Sequence, residues 1–121
     1  MADAALENEG DLIASDRVEG TLVYNKAGEK LGRISNFMVD KRSGQVRYAV
    51  LSFGGFLGMG HDHYPLPWSM LHYDVEMGGY VVELDKRMLD GAPSHPNDQR
   101  PLFDDDYGRN IHGYYGLIYP F

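Results

Sequence analysis

Apolar and polar residues along this chain alternate in short, interrupted runs that are typical of β-strands. The runs are rich in β-branched and aromatic residues, and turn signals separate them about every eight to twelve residues. No long helical periodicity competes with this pattern. The sequence therefore predicts an all-β fold with strands over Val18–Tyr24, Lys30–Asp40, Gln45–Phe53, Asp62–Leu66, His72–Glu76 and Tyr80–Leu84.

Glycine closes the first two predicted hairpins, over Asn25–Glu29 and Lys41–Gly44. Gly28 can take the left-handed conformation that such loops need. In the strand between these hairpins the apolar residues do not alternate cleanly. A β-bulge between Ile34 and Phe37 would place all of them on the inner face. These residues are Leu31, Ile34, Phe37 and Val39.

A glycine-rich bend follows the central strand, where four glycines permit a backbone path closed to residues with a Cβ. These glycines are Gly54, Gly55, Gly58 and Gly60. Further on, Pro67 precedes the only tryptophan, Trp68, which we expect in the core or as a lid on it. The pattern predicts a small, strongly bent β-barrel with short helical turns over Asp11–Arg17 and Asp85–Asp90.

The length of 121 residues and an apolar content of 43% support a single core. Composition divides the chain into three regions. Residues 1–11 are expected to be a disordered acidic arm. Residues 12–93 form the predicted barrel, and residues 94–121 a linker followed by an aromatic tail.

Charge and cysteine content exclude several function classes. The net charge of −7 comes from the two ends, because residues 17–91 carry equal numbers of acids and bases. Without a cluster of Lys and Arg, nucleic-acid binding is not expected. The absence of cysteine excludes disulfides, thiolate metal sites and a cysteine nucleophile. No apolar run is long enough for a membrane helix, and the acidic start does not resemble a secretory signal. We expect a cytoplasmic protein.

His61 and His63 form the best candidate for site chemistry. Residues two apart on a strand share a face, so both could approach one metal, with His72 or an aspartate completing the ligand shell. The alternative is that they are polar residues at the rim of the bend, and we assign no metal. The glycine bend does not match a phosphate-binding fingerprint, and no nucleophile elbow is present. No catalytic or cofactor-binding residue, and no small-molecule substrate, is predicted.

Apolar side chains on the glycine-rich bend are hard to bury in a small barrel, unless they pack locally under it. The densely aromatic tail is equally unsuited to water, so it should pack on the barrel, on a second copy or on a partner. We therefore predict a contact surface for a protein partner, with a homodimer expected. Its residues are Phe56, Leu57, Met59, Tyr114, Tyr115, Tyr119 and Phe121.

With these residues in view, the chain resembles the PRC-barrel family, named after the cytoplasmic barrel of the H subunit of photosynthetic reaction centres. The resemblance covers Leu12–Pro93. Its most specific parts are Tyr48–Gly58 and the Pro67-Trp68 pair. Further matching residues are Val18, Gly20, Tyr24, Asn25, Gly28, Leu31, Gly32, Ile34, Phe37, Val39 and Asp40, and Gly54 and Gly55 lie within the first part.

The resemblance implies a six-stranded, strongly bent barrel with no known enzymatic activity, used as an interaction module. Family members tune electron transfer in the reaction centre or help a ribosome maturation factor to dock on a ribosomal protein. The sequence predicts neither a membrane helix nor a companion domain. We therefore transfer only a binding or assembly role from the family to this chain. Two alternatives stay open: an accessory component of membrane-bound photosynthetic or electron-transport machinery, and a histidine metal-site protein.

Overall fold

The computed structural model describes residues 12–53, 62–84, 86–96 and 99–121. Seven strands and three α-helices lie in this part of the chain, with one 3-10 turn at Trp68–Met70. The strands are β1 (Leu22–Asn25), β2 (Lys30–Val39), β3 (Val46–Phe53), β4 (Asp62–Pro67), β5 (Leu71–Asp74), β6 (Gly79–Val82) and β7 (His95–Pro96). The helices are α1 (Ser15–Val18), α2 (Lys86–Leu89) and α3 (Asp105–Tyr114).

All seven strands join one sheet, in the order β5-β6-β1-β2-β3-β4-β7. Neighbouring strands are antiparallel except for β1 and β6, which run parallel. The all-β prediction is confirmed. The strand beyond the expected six is the two-residue β7, and the edge strands β5 and β7 do not pair with each other in the described part of the chain.

The central pair β2–β3 shows why the apolar residues of β2 do not alternate. The pairing shifts register between Ile34 and Asn36, so the predicted bulge is confirmed. A second shift lies between Met38 and Val39. This second irregularity leaves Val39 44% exposed, so the prediction that it faces the core is wrong. Because the pleat sends alternate side chains to opposite faces, one extra residue is enough to turn a side chain outward.

The first strand begins later than predicted, whereas the first hairpin turns as predicted. The first strand starts at Leu22, four residues later than predicted, because Val18 ends the short helix α1. The Thr21 hydroxyl donates to the carbonyl oxygen of Arg17 at 2.7 Å and holds the connection. Gly28 has a φ of +84°, as the first hairpin requires.

The core is one apolar cluster that joins residues from six strands, the end of helix α1 and helix α2. Trp68 packs against its margin and is only half-buried; its ring centre lies 5.5 Å from that of Tyr80. Trp68 is therefore a lid residue at the core boundary. The side chains with the least exposure include Val23, Ile34, Leu51, Leu66, Val82 and Leu89.

Residues 99–121 pack on the sheet as a unit that we name the C-terminal cap. It contains α3, a helix of ten residues where the sequence analysis placed a linker and a tail. The Asp104 carboxylate accepts a hydrogen bond from the Tyr107 N–H at 2.9 Å and caps the first turn. Asp105 and Asp106 follow in that turn, where carboxylates oppose the positive end of the helix dipole.

Candidate interaction surface

Helix α3 is seated on the barrel through Gly108, Ile111 and His112, which are all buried. Gly108 permits the closest approach. A Cβ at this position would overlap the ring of Tyr119 and lie 2.9 Å from the hydroxyl oxygen of Tyr48. The helix can therefore approach Tyr48 of strand β3 this closely only because position 108 lacks a side chain.

His112 lies at the centre of the contact between the cap and the sheet. Its ring meets Tyr48 edge-on with centres 5.6 Å apart, and Tyr119 at 5.3 Å. Its Nδ1 lies 2.8 Å from the carbonyl oxygen of Gly108. Since a carbonyl can only accept, Nδ1 carries the proton, and the bond fixes the orientation of the ring.

Phe103 and Phe121 complete the aromatic contact on either side. Phe103 lies 5.3 Å from the Tyr48 ring, and the guanidinium of Arg47 lies 4.0 Å from the centre of the Phe121 ring. The Tyr119 hydroxyl donates to Asp105 at 2.8 Å, which ties the last residues to the start of α3. The cap is thus held by ring edges and a few polar contacts.

The four tail residues predicted to form a contact surface differ in their burial and in their contacts with the sheet. Tyr115 packs against the core cluster, and Tyr119 is half-buried. Tyr114 stays exposed while its hydroxyl donates to the carbonyl oxygen of Met88. Phe121 is 49% exposed. The tail therefore packs on its own barrel and presents only part of its aromatic surface to solvent.

The other half of the predicted surface lies outside the described residues. Phe56, Leu57 and Met59 fall in the glycine-rich bend, together with Gly54, Gly55 and Gly58. Their place in a contact surface stays a prediction.

Two exposed apolar residues of the cap were missed as surface residues. Ile118 is 91% exposed, and Leu102 is also largely in solvent. Ile118 stands between residues that pack inward, so neither periodicity nor composition separates it from them. It follows that the cap carries an apolar outer side as well as an aromatic inner one.

An open cleft of about 320 Å³ separates the cap from the β2–β3 hairpin. Its aromatic walls are Tyr48, Phe103 and Tyr119, and its hairpin side carries three cations: Lys41, Arg42 and Arg47. Asp40 pairs with Arg47 at 2.6 Å. Main-chain hydrogen bonds from Ser43 and Arg42 hold the pKa of Asp40 below its usual value, so this carboxylate stays charged.

Burial raises the pKa of several tyrosines where the cap meets the sheet. The pKa of Tyr48 rises to about 12, chiefly because burial disfavours the phenolate. Burial likewise raises the pKa of Tyr107 and of Tyr115. Within the described structure, the hydroxyls of Tyr107 and Tyr115 are buried and have no hydrogen-bond partner. These hydroxyls therefore stay protonated and weaken the contact they are buried in.

The histidines do not gather into a metal site among residues that the structure describes. His63 is buried on β4 and its ring stacks on that of His95 at 5.6 Å, whereas His72 is exposed on β5. No group of three or more possible ligands is present in the described ranges. His61 lies outside them. The neighbour His95, brought in by β7, was not a candidate in the sequence.

None of the helices in the described ranges is both long and apolar enough to cross a membrane.

Comparison with known proteins gives a family and likenesses to solved structures. The family model described as PRC-barrel domain matches residues 10–89. No curated protein matches the sequence. Among solved structures, the chain is similar to a putative 16S ribosomal RNA processing protein RimM from Pseudomonas aeruginosa. The two share 18% identity over 65% of this chain, with a TM-score of 0.42, and the match spans 48% of that protein, about half its length.

Proposed function

The chain belongs to the PRC-barrel family, and from that premise we propose that it is a non-enzymatic module for protein interaction and assembly. PRC-barrel domains mediate protein interactions. We place this module in the cytoplasm, because a chain without cysteine suits a reducing compartment.

One observation carries the proposal: the cap is anchored on its inner side and apolar on its outer side. Its buried anchors, Ile111 and His112, hold the unit in place. On the outside, Ile118 and Phe121 expose apolar surface that a neighbouring chain could cover. An anchored apolar patch loses little conformational entropy when a partner covers it, which favours binding.

We propose that the partner surface combines this patch with the glycine-rich bend and that a second copy of the chain is one of its partners. Closed two-fold dimers are the commonest soluble assembly. Bend and tail would supply the aromatic and large apolar anchors that dominate protein interfaces. The proposed residues are Phe56, Leu57, Met59, Tyr114, Tyr115, Tyr119 and Phe121.

Substitutions at two equally exposed positions test this surface without destabilising the core. Ile118→Glu places a charge on the patch, whereas Leu12→Glu places one at a residue that is equally exposed, 90% against 91%. Sedimentation of the full chain over a range of concentrations should show association of the wild type and of Leu12→Glu, with Ile118→Glu shifted toward monomer.

A partner from native cells should likewise be retained by the wild type and by Leu12→Glu, and lost with Ile118→Glu. Equal behaviour of both variants in both measurements would contradict the proposed surface. The accessory role in membrane-bound photosynthetic or electron-transport machinery has no supporting observation in the described part of the chain and stays a hypothesis.

A further inference from the structure

Strand β5 leaves one edge of the sheet without a neighbouring strand in the described part of the chain. Its other side pairs with β6, with Tyr73 opposite Tyr80 and Asp74 opposite Gly79. An unpaired edge presents main-chain N–H and C=O groups on which another strand can add. The far edge of the sheet ends in β7, which has only two residues.

The main-chain directions along β5 identify the residue at which such pairing would centre. The carbonyl oxygen of Asp74 accepts from the N–H of Gly78 at 2.9 Å, so the main-chain groups of Asp74 point toward β6. Because main-chain directions alternate along a strand, the N–H and C=O groups of His72 also point toward β6, and those of Tyr73 point away from it. Tyr73 therefore offers one donor and one acceptor at the open edge.

We propose that two copies of this chain pair antiparallel through β5, with Tyr73 opposite Tyr73 of the second copy. A residue opposite its own copy can exchange two N–H to O bonds across a two-fold axis. This inference rests on the proposed self-association and assigns it a second contact, separate from the cap.

The flanking residues are complementary in this register. His72 lies opposite Asp74 of the second copy, and by symmetry the same pair occurs twice. Neighbouring positions of this kind bring Cα atoms to about 4.5 Å, close enough for the side chains to interact. His72 is exposed, so it is free to meet the second carboxylate. In this register the imidazole of each copy faces a carboxylate of the other, on both sides of the Tyr73 pair. This complementarity favours a second copy over an unrelated strand.

Apolar residues extend the contact on the other face of the strand. Tyr73 is 38% exposed, and its ring lies 5.2 Å from that of Tyr80. Val75, just beyond the strand, is exposed as well. Pairing through Tyr73 would cover these side chains. The edge strands of monomeric proteins usually carry few exposed apolar residues.

Carboxylates lie around His72 in the proposed pair. Of the described residues, Asp74 shares its face of β5, and Glu83 follows β6 close enough to interact with His72. Glu83 also pairs with Lys26 from the first hairpin. The second copy would add one more carboxylate. A fixed positive charge at position 72 should therefore strengthen association through β5.

Substitutions at His72 test the charge pairing, since the side chain is exposed and does not support the core. We expect His72→Lys to associate at least as strongly as the wild type, because the lysine ammonium faces the Asp74 carboxylate of the second copy. His72→Glu should weaken association roughly tenfold, because it sets two carboxylates opposite each other. Thermal melts should show all three proteins equally folded.

A second pair of variants tests the main-chain bonds. Tyr73→Ala and Tyr73→Pro both remove the ring, but only proline removes the outward N–H, and proline is tolerated at an open edge. Sedimentation should show a further loss of association with Tyr73→Pro relative to Tyr73→Ala.

The outcomes separate this inference from the proposed function. A wild type that is monomeric at every concentration overturns the β5 contact and the self-association on which it rests, but not the binding of a different protein through the cap. A monomer that binds a different protein through β5 likewise overturns the pairing of two copies. Association that is lost with Ile118→Glu but unaffected by His72→Glu and Tyr73→Pro overturns the β5 contact alone. Association that is lost with His72→Glu and Tyr73→Pro supports it, whatever the result at Ile118.

Discussion

The sheet and the C-terminal cap are held together by different means. In the sheet, side chains such as Val23, Leu51 and Val82 are fully removed from water, and burying each is worth about 1.5–3 kcal/mol. The cap has one fully buried aliphatic anchor, Ile111, and otherwise contacts the sheet mainly through aromatic ring edges around His112, each adding about 0.5–1.5 kcal/mol beyond its buried area. The sheet should therefore survive changes that release the cap.

Buried polar atoms sharpen this contrast. The hydroxyls of Tyr107 and Tyr115 are buried without a hydrogen-bond partner in the part of the chain that the structure describes. Such a hydroxyl costs about 1–3 kcal/mol. The difference indicates that the sheet determines the fold, while the cap is a more weakly held layer.

The largest effect is expected from Gly32→Ala near the start of β2. A Cβ at this position would overlap the main-chain carbonyl oxygen of Ser52 on β3, which cannot move without opening the central pair. The free energy of unfolding should fall by about 3 kcal/mol or more. Urea unfolding followed by circular dichroism would measure this loss, and sheet and cap should unfold together. A stability near that of the wild type would show that β2 and β3 adjust more easily than their pairing indicates.

Trp68→Ala tests the boundary of the core. Truncating a tryptophan costs about 3–5 kcal/mol, and we expect the lower end, about 3 kcal/mol, because Trp68 is half-buried against Tyr80. A thermal melt would report the loss. An unchanged melting temperature would remove Trp68 from the residues that stabilise the barrel.

Gly108→Ala should release the cap and leave the sheet intact. The added Cβ would push α3 away from Tyr48 and Tyr119, costing about 1–3 kcal/mol at that contact. Limited proteolysis should then cut within residues 99–121 while the urea midpoint of the sheet changes little.

Gly113→Ala on the same helix is the matched control. A Cβ at this position meets no atom within 4 Å, and alanine favours a helix over glycine by about 1 kcal/mol. This variant should resist proteolysis at least as well as the wild type. Equal cleavage of both glycine variants would mean that the cap is not held at Gly108.

Alkaline pH should loosen the cap without any substitution. The pKa of Tyr48 is about 12 in the folded protein and about 10 in an unfolded chain, so folding favours the protonated phenol. This stabilisation is complete below about pH 10 and is lost as the pH rises to about 12. Tyr107 and Tyr115, whose pKa values burial also raises, act in the same direction.

Proteolysis of the cap should increase over this pH range, and Tyr48→Phe should reduce the increase because one titrating group is gone. Cleavage that is independent of pH up to 12 would contradict the burial of these phenols at the contact.

Much of the sheet could be predicted because its signals are local. The run from Val46 to Phe53 has the composition of a central strand, and the bulge at Ile34 follows from apolar residues that fail to alternate. The second shift, near Val39, has no such signal, since it depends on how the hairpin pairs. The bridge between His63 and His95 is likewise a tertiary contact between distant residues.

Helix α3 shows where sequence reasoning fell short. Gly108 and Gly113 lower its intrinsic helix propensity, and the density of aromatic residues suggested a tail. A signal was present nonetheless: Asp104 is a helix-capping residue, and the buried residues Gly108, Ile111 and His112 follow with helical spacing. Packing against Tyr48 compensates for the glycines, and that contact cannot be read from the local sequence.

The parallel pairing of β1 with β6 has a consequence for the order in which the chain can fold. Val23 lies opposite Tyr80, about 57 positions further along the chain, while the hairpins between them are local. Pairings so distant in sequence slow folding, because a long loop must close before they form. During synthesis, β1 therefore cannot complete its pairing with β6 until Val82 has left the ribosome.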